Sequence, residues 1–196
     1  MDAYEAIMTR RSTRAFRGEQ LDPEALDKVI QAGRFAPSGG NSQTTRFLVV
    51  RDRALLAELA AAAEKAFAAM EVTEDMYRSL KGSILQAKKG GYVYHYDPAT
   101  LIITANKKDY SNNIADCACA LENMMIMASA LDLGSCWINQ LKWLNEDPEL
   151  LAILRRHGLE EDERVYGALA VGLPATQDGH PQRTPLPRTG NPVIYI

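Results

Sequence analysis

With 196 residues, 46% hydrophobic and 24% charged, the chain is sized for one globular domain (1–196) with a substantial core. Its formal net charge of −3 argues against a general nucleic-acid surface, which would be basic overall. No N-terminal run has the pattern of a signal peptide and no stretch is long enough to span a bilayer, so the expectation is a cytoplasmic protein without membrane or nucleic-acid partners.

Residues 2 to about 8 read as a short helix, with Ala3, Tyr4, Ile7 and Met8 at helical spacing. The next helix is marked more strongly. Asp22 suits the N-cap, Pro23 the first helical position, and Leu21 and Leu26 the two positions of a hydrophobic staple. Leu26, Val29 and Ile30 form its inner face, and Gly33 is the expected stop. Phe47–Val50 reads as a buried strand, after which Asp52 caps an alanine-rich helix to about Met70. Residues 71–98 mix glycines with the cluster Tyr92-Val93-Tyr94-His95-Tyr96. They are expected to be mobile or to cover a surface, with room for a helix in the first half, and to act as a lid or as ordinary packing.

Leu101–Thr104 reads as a second core strand. From Asp116 to Leu133 the chain is apolar nearly all round, the pattern of a central buried helix or one at an oligomer interface, with Gly134 as its cap. Cys117 and Cys119 point to different sides of that helix and are unsuited to bridging. With no CxxC pair and with scattered histidines, reduced thiols and no metal site are expected. Asp147 and Pro148 open another helix that turns Leu150, Leu151 and Leu154 inward and ends at Gly158. Arg164–Val171 reads as a third strand and Val193–Ile196 as a fourth, with an extended proline-rich arm, Pro174–Pro192, between them. More helices than strands, with long intervals between the strands, give an α+β layout. No GxGxxG follows a strand and no GxxxxGK[ST] is present, so neither a Rossmann site nor a P-loop is expected.

Two stretches carry chemistry. Arg10-Arg11-Ser12-Thr13-Arg14 places three guanidiniums and the Ser12 hydroxyl within five residues, and the planar fork of arginine can take two phosphate oxygens at once. Pro37-Ser38-Gly39-Gly40-Asn41-Ser42-Gln43 combines glycines with carboxamides, which suit close backbone approach and planar hydrogen bonding to a heterocycle. Singly, a basic run is a solvated face and SGGN a turn. Together, a phosphate site and a site for a flat polar ring describe a mononucleotide, with FMN as first candidate.

RRSTRAF at 10–16, APSGGNSQ at 36–43, ADCACALENMMIMASALDLGSCWI at 115–138 and RTPL at 183–186, in that order, resemble the FMN-dependent nitroreductase family. The resemblance implies an α+β fold with a central mixed sheet flanked by helices, in an intertwined homodimer with FMN at the subunit interface. It implies that Arg10, Arg11 and Ser12 bind the phosphate and that Arg14 lies near the ribityl chain and pyrimidine edge. Pro37, Ser38, Gly39 and Asn41 would approach the ring from the other subunit, with Gln43 a neighbouring carboxamide. Ile138, Asn139 and Gln140 would form the loop whose backbone N–H faces flavin N5, and Arg183 would return to the phosphate. Thr44-Thr45 stand where the family often has Pro-Trp, and Asn139-Gln140 where it often has a glycine; both bear on which acceptors fit.

The implied activity is hydride transfer from NAD(P)H through FMN to a nitroaromatic, a quinone or a similar electron-poor small molecule. The flavin carries the chemistry, so no side-chain nucleophile is required. Arg14 is the expected electrostatic support for the reduced, anionic ring. The alternatives are a specialised flavin reaction (dehalogenation, dehydrogenation or flavin breakdown), a flavin-storage protein, and a helical dimer without a cofactor.

Overall fold

Four strands and seven helices are built from these segments in a computed structural model describing residues 1–196. The strands are β1 (Arg46–Val50), β2 (Thr100–Lys107), β3 (Gly134–Ile138) and β4 (Glu163–Gly172). The helices are α1 (Ala3–Thr9), α2 (Pro23–Arg34), α3 (Arg53–Ala68), α4 (Arg78–Ala87), α5 (Asn113–Ala130), α6 (Gln140–Trp143) and α7 (Pro148–Arg156). The sheet order is β1-β2-β4-β3 and all three strand pairs are antiparallel. Its parallel component is a single bridge from Ser12, which belongs to no strand, to Ser135 of β3.

Side-chain alternation in the two central strands sets the layers. Leu101, Ile103 and Ala105 of β2, with Ala168 and Ala170 of β4, join a core with α3, α4 and α7. Ile102, Leu169 and Val171 point the other way, into a second core with α2 and α5. Because helices cover both faces, β4 is buried along its whole length and reads as a near-continuous apolar run from Val165 to Val171. Aspartates start four of the helices. The carboxylates of Asp2, Asp22, Asp52 and Asp147 accept from first-turn N–H groups, each contact stabilising by about 1 kcal/mol relative to alanine.

Several sequence expectations are corrected. Gly33 does not stop α2, which continues to Arg34 and ends at Phe35. A Cβ on Gly33 would sit 2.9 Å from Met124 Cγ and 3.0 Å from Phe47 Cε1, so glycine is there to let α2 approach α5. Nor does Gly134 cap α5. Asp132 takes the left-handed position (φ 59°), Leu133 N–H donates to Ala128 O at 2.8 Å, and Asp132 N–H donates to Ser129 O at 3.2 Å. This is a Schellman ending, and Gly134 instead opens β3, a strand absent from the sequence reading. Val193–Ile196 form no strand; their side chains are exposed. Helix α4 begins in the first half of 71–98 and runs on to Ala87, and the second half is packed rather than mobile. Tyr94 and His95 are buried and Tyr94 belongs to the larger core.

Beside Tyr94, His95 is 1% exposed, and its two ring nitrogens are both spent. Nδ1 accepts from Asp97 N–H at 3.1 Å, which leaves Nε2 to donate to Leu56 O at 3.1 Å. The ring is thus held neutral, and burial pushes its pKa below the ordinary histidine value. An unfolded histidine titrates near pH 6.5, so the unfolded chain takes up this proton first as pH falls. The contribution of His95 is therefore complete above about pH 6.5 and is lost as pH falls through the lower folded value. Urea unfolding at pH 7.5, 6 and 5 is expected to show stability falling toward acid, with a shallower fall in His95→Gln. Identical pH slopes in the two proteins would contradict this account.

Candidate functional site

The segment that leaves α1 crosses the free edge of β3. Ser12 bridges Ser135, and Thr13 N–H donates to Ser135 O at 2.8 Å. Further on, Phe16 bridges Pro174, Ala175 N–H donates to Ala15 O at 3.0 Å, and Arg17 N–H donates to Leu173 O at 2.9 Å. The backbone carrying the arginines is therefore tied down at both ends. Cys136, the next residue of β3, lies within reach of the Ser12 hydroxyl and in the field of Arg14 and Arg10. Its thiol is nevertheless pushed upward by burial. None of Arg10, Arg11 and Arg14 has a carboxylate within ion-pair distance, although Arg46, Arg53, Arg156 and Arg164 all do. Arg11 Nη1 donates to Thr184 O at 2.7 Å, and the Arg14 guanidinium lies 5.9 Å from the centre of the Tyr96 ring.

Arg183 closes the same region from the C-terminal arm. Its Nη2 donates to Ser129 O at 2.6 Å and to Asp132 Oδ1 at 2.7 Å, and its Nη1 donates to Ser129 Oγ at 3.2 Å. A cation there meets the negative end of α5 and a carbonyl of its last turn that also accepts from Asp132 N–H. The guanidinium in turn holds the Asp132 carboxyl below the usual carboxylate range. Arg183 thus anchors the arm to α5, and through the next residue, Thr184, to Arg11.

The glycine-rich block lies at the other end of α5. Gly39 N–H donates to Asp116 Oδ1 at 3.1 Å, Tyr110 OH donates to Gly39 O at 3.1 Å, and Ser42 Oγ lies 3.0 Å from Tyr110 OH. Gly39–Asn41 forms a 3₁₀ turn in which Gly40 and Asn41 take positive φ, and Gln43 N–H donates to Ser38 Oγ at 3.0 Å. Pro37, Ser38, Asn41 and Gln43 line a cleft of about 660 Å³ together with Phe35 and Asp116. At 1.5 Å per residue, Asp116 and Ser129 stand about 20 Å apart along the helix. One chain therefore brings Arg10, Arg11, Ser12 and Arg14 together with β3, and holds its own 37–43 block far from them.

Ile138 ends β3 and is buried, while Asn139 and Gln140 lead into α6. Asn139 Oδ1 accepts from Trp137 Nε1 at 2.9 Å, and Gln140 Nε2 donates to Tyr92 OH at 3.0 Å. Both carboxamides are engaged within the chain, and the N–H groups opening α6 have no intrahelical partner. Sequence reasoning missed Asp116, Tyr110 and Tyr96. Only Asp116 left a signal, as a carboxylate at the head of an otherwise apolar run. Of the three cysteines, all expected to be buried thiols, Cys117 and Cys136 are buried and Cys119 is exposed; burial pushes Cys117 up to about 12, beside Thr104 and Thr45.

The family model for the Nitroreductase family matches residues 7–173. A nitroreductase with bound FMN from Bacteroides fragilis has the same fold with a TM-score of 0.86, at 33% identity over 100% of both chains. An FMN reductase (NADPH) from Bacillus subtilis is 27% identical over 192 residues, 94% of this chain and 70% of that protein. An iodotyrosine deiodinase bound to FMN and 3-iodo-L-tyrosine shares the fold, with a TM-score of 0.71 at 20% identity, covering 100% of this chain and 99% of that one.

The crossing at β3 depends on Gly134, where a Cβ would lie 2.7 Å from Thr13 Cγ2 and 2.9 Å from Thr13 Cβ. Gly134→Ala is expected to cost about 1–3 kcal/mol, the scale of overpacking. Thr13→Gly in the same chain should recover part of that loss in urea unfolding. Additive losses would mean the two residues do not press on each other.

Proposed function

The chain belongs to the nitroreductase family, and on that footing we propose that it is an FMN-dependent oxidoreductase. It takes hydride from NAD(P)H and delivers electrons to a nitroaromatic, a quinone or a comparable electron-poor small molecule. The observation that carries this reading is the set of three guanidiniums without carboxylates, on a backbone segment pinned to β3. A phosphate monoester carries roughly −1.5 to −2 charge near neutral pH, and each charge-assisted hydrogen bond contributes about 1.5–3 kcal/mol. Micromolar binding needs about 8 kcal/mol, which two or three such contacts plus ring burial supply. When bound, FMN brings the two-electron ring chemistry; the chain supplies binding, orientation and charge.

In this reading Arg10, Arg11 and Ser12 hold the phosphate, and Arg14 sets its charge against the pyrimidine edge. The backbone at Asn139 and Gln140 faces the ring. Arg183 acts at one remove: its fork is spent on Asp132 and Ser129, so it positions Thr184 and Arg11 and does not itself reach the phosphate. Pro37, Ser38, Gly39, Asn41 and Gln43 come from a second copy of the chain, because their own copy holds them at the far end of α5. The same pairing would cover Tyr4, Ile7 and Met8 of α1 and the apolar tail Val193–Ile196, all exposed in the single chain. Each copy of 1–196 then acts as one FMN-binding domain in an intertwined homodimer. Three free cysteines suit a reducing compartment, and we assign the protein to the cytoplasm. No helix is long and apolar enough to cross a membrane.

Purified protein is expected to be yellow and to bleach anaerobically with NADH or NADPH, then to recover its colour on adding a nitroaromatic or quinone. Protein that retains no FMN, or whose FMN neither nucleotide bleaches, would overturn the reading. Selective recovery with a halogenated phenol would favour dehalogenation, the second reading, which the shared deiodinase fold keeps in view. Separately, Arg10→Ala should weaken FMN binding by about 1.5–3 kcal/mol, read as FMN lost on dialysis. Undiminished retention would remove Arg10 from the phosphate site.

A further inference from the structure

Arg14 meets an aromatic face where a carboxylate would be the ordinary partner. Its guanidinium carbon lies 5.9 Å from the centroid of the Tyr96 ring, and no acidic group pairs with it. The nearest acidic residue in sequence to that ring is Asp97, whose carboxylate is taken by Arg53 Nη2 at 2.7 Å. The ring attracts the cation through its quadrupole but carries no net charge. A carboxylate would orient Arg14 and cancel its field; a ring orients it and leaves the field intact.

The backbone beneath the ring is unfavourable and held from several sides. Tyr96 and Asp97 both take left-handed conformations, φ 62° and φ 50°, a region that residues other than glycine, asparagine and aspartate seldom enter. Arg53 grips the turn through Asp97 and through Pro98 O at 3.0 Å, and His95 Nδ1 receives Asp97 N–H at 3.1 Å. Asn or Gly at position 96 would adopt this conformation with less strain, so a tyrosine there is explained by its ring. Strain of this kind persists where the surroundings over-determine it, and it gathers at functional sites.

We propose that Tyr96 is a positioning residue whose ring holds the Arg14 guanidinium, unneutralised, against the FMN ring and thereby raises the reduction potential of the bound flavin. The proposal rests on the FMN reading and specifically on Arg14 facing the pyrimidine edge. Positive charge there favours the more negative, reduced form, so displacing it weakens binding of reduced FMN more than of oxidised FMN.

The test is the midpoint potential of FMN-saturated protein, measured alongside thermal melting, for Arg14→Gln, Tyr96→Phe, Tyr96→Asn and the double variant Arg14→Gln/Tyr96→Asn. Arg14→Gln is expected to change the ratio of affinities for reduced and oxidised FMN by about tenfold, a drop of about 30 mV for this two-electron couple. Tyr96→Phe keeps the ring face and should stay at the wild-type potential. Tyr96→Asn should fall most of the way to Arg14→Gln; asparagine tolerates the left-handed turn but gives up the ring's packing against the larger core, so its potential and not its melting temperature decides. The double variant should fall no further than Arg14→Gln alone. A wild-type potential in Tyr96→Asn, or an additive drop in the double variant, overturns the proposal. An unmoved potential in Arg14→Gln overturns it as well, and locates the failure in the placement of Arg14 rather than in Tyr96. Should Tyr96→Asn fail to fold, Tyr96→Gly removes the ring with the same backbone freedom and decides in its place.

Discussion

Helix α5 is the constraint on which the rest of the molecule depends. Its 18 residues make a rod of about 27 Å, buried along one side against the sheet and α2. The glycine-rich block hangs from its N-terminal end through Asp116, and the C-terminal arm from its other end through Arg183. A packed helix does not shorten, so the distance between these two polar groups is fixed by secondary structure and not by loop conformation. In the function proposed above, that separation is the reason for drawing the two groups from two copies of the chain.

Electrostatics follows from where the charges are left unpaired. Most arginines touching the sheet or the helices are answered by carboxylates, as Arg46 is by the buried Glu163 and Arg164 by Glu146. Along 10–14 the answer is a backbone carbonyl and an aromatic ring, neither of which neutralises a guanidinium. A local excess of positive charge in a chain of net charge −3 is costly unless an anion arrives. The same excess becomes binding free energy when the anion is a phosphate dianion.

Features encoded within a few residues were legible in the sequence. Asp22-Pro23, Asp52 and Asp147-Pro148 each open a helix, because capping is chemistry between neighbours. The runs Leu101–Ile103 of β2 and Val165–Val171 of β4 were legible because burial on both faces favours apolar side chains there. Gly33 and Gly134 were misread as stops because their reason lies elsewhere in the chain, in Met124 and Thr13, which a local window does not contain. β3 escaped for the same reason: Gly134-Ser135-Cys136-Trp137-Ile138 has no alternation of its own and becomes a strand by pairing with β4. At the site, the basic and glycine-rich blocks announced themselves by composition. Tyr96 did not, since nothing in a Tyr-rich stretch distinguishes the ring that lies by an arginine from Tyr94, which is sealed in the core.

The anchoring of the arm at Arg183 has a consequence for the chain beyond it. Thirteen residues on from Arg183 lies Ile196, the last of the apolar stretch Val193-Ile194-Tyr195-Ile196. At 3.3–3.6 Å per residue a strap of that length reaches at most about 45 Å from its root. Any apolar surface these side chains cover must lie within that radius. A tether this short presents that apolar stretch at an effective concentration on the order of millimolar, where a free peptide of the same sequence would have to be supplied at that level. Weak contacts there therefore suffice to keep the strap in place, provided that Asp132 and Ser129 keep hold of its root.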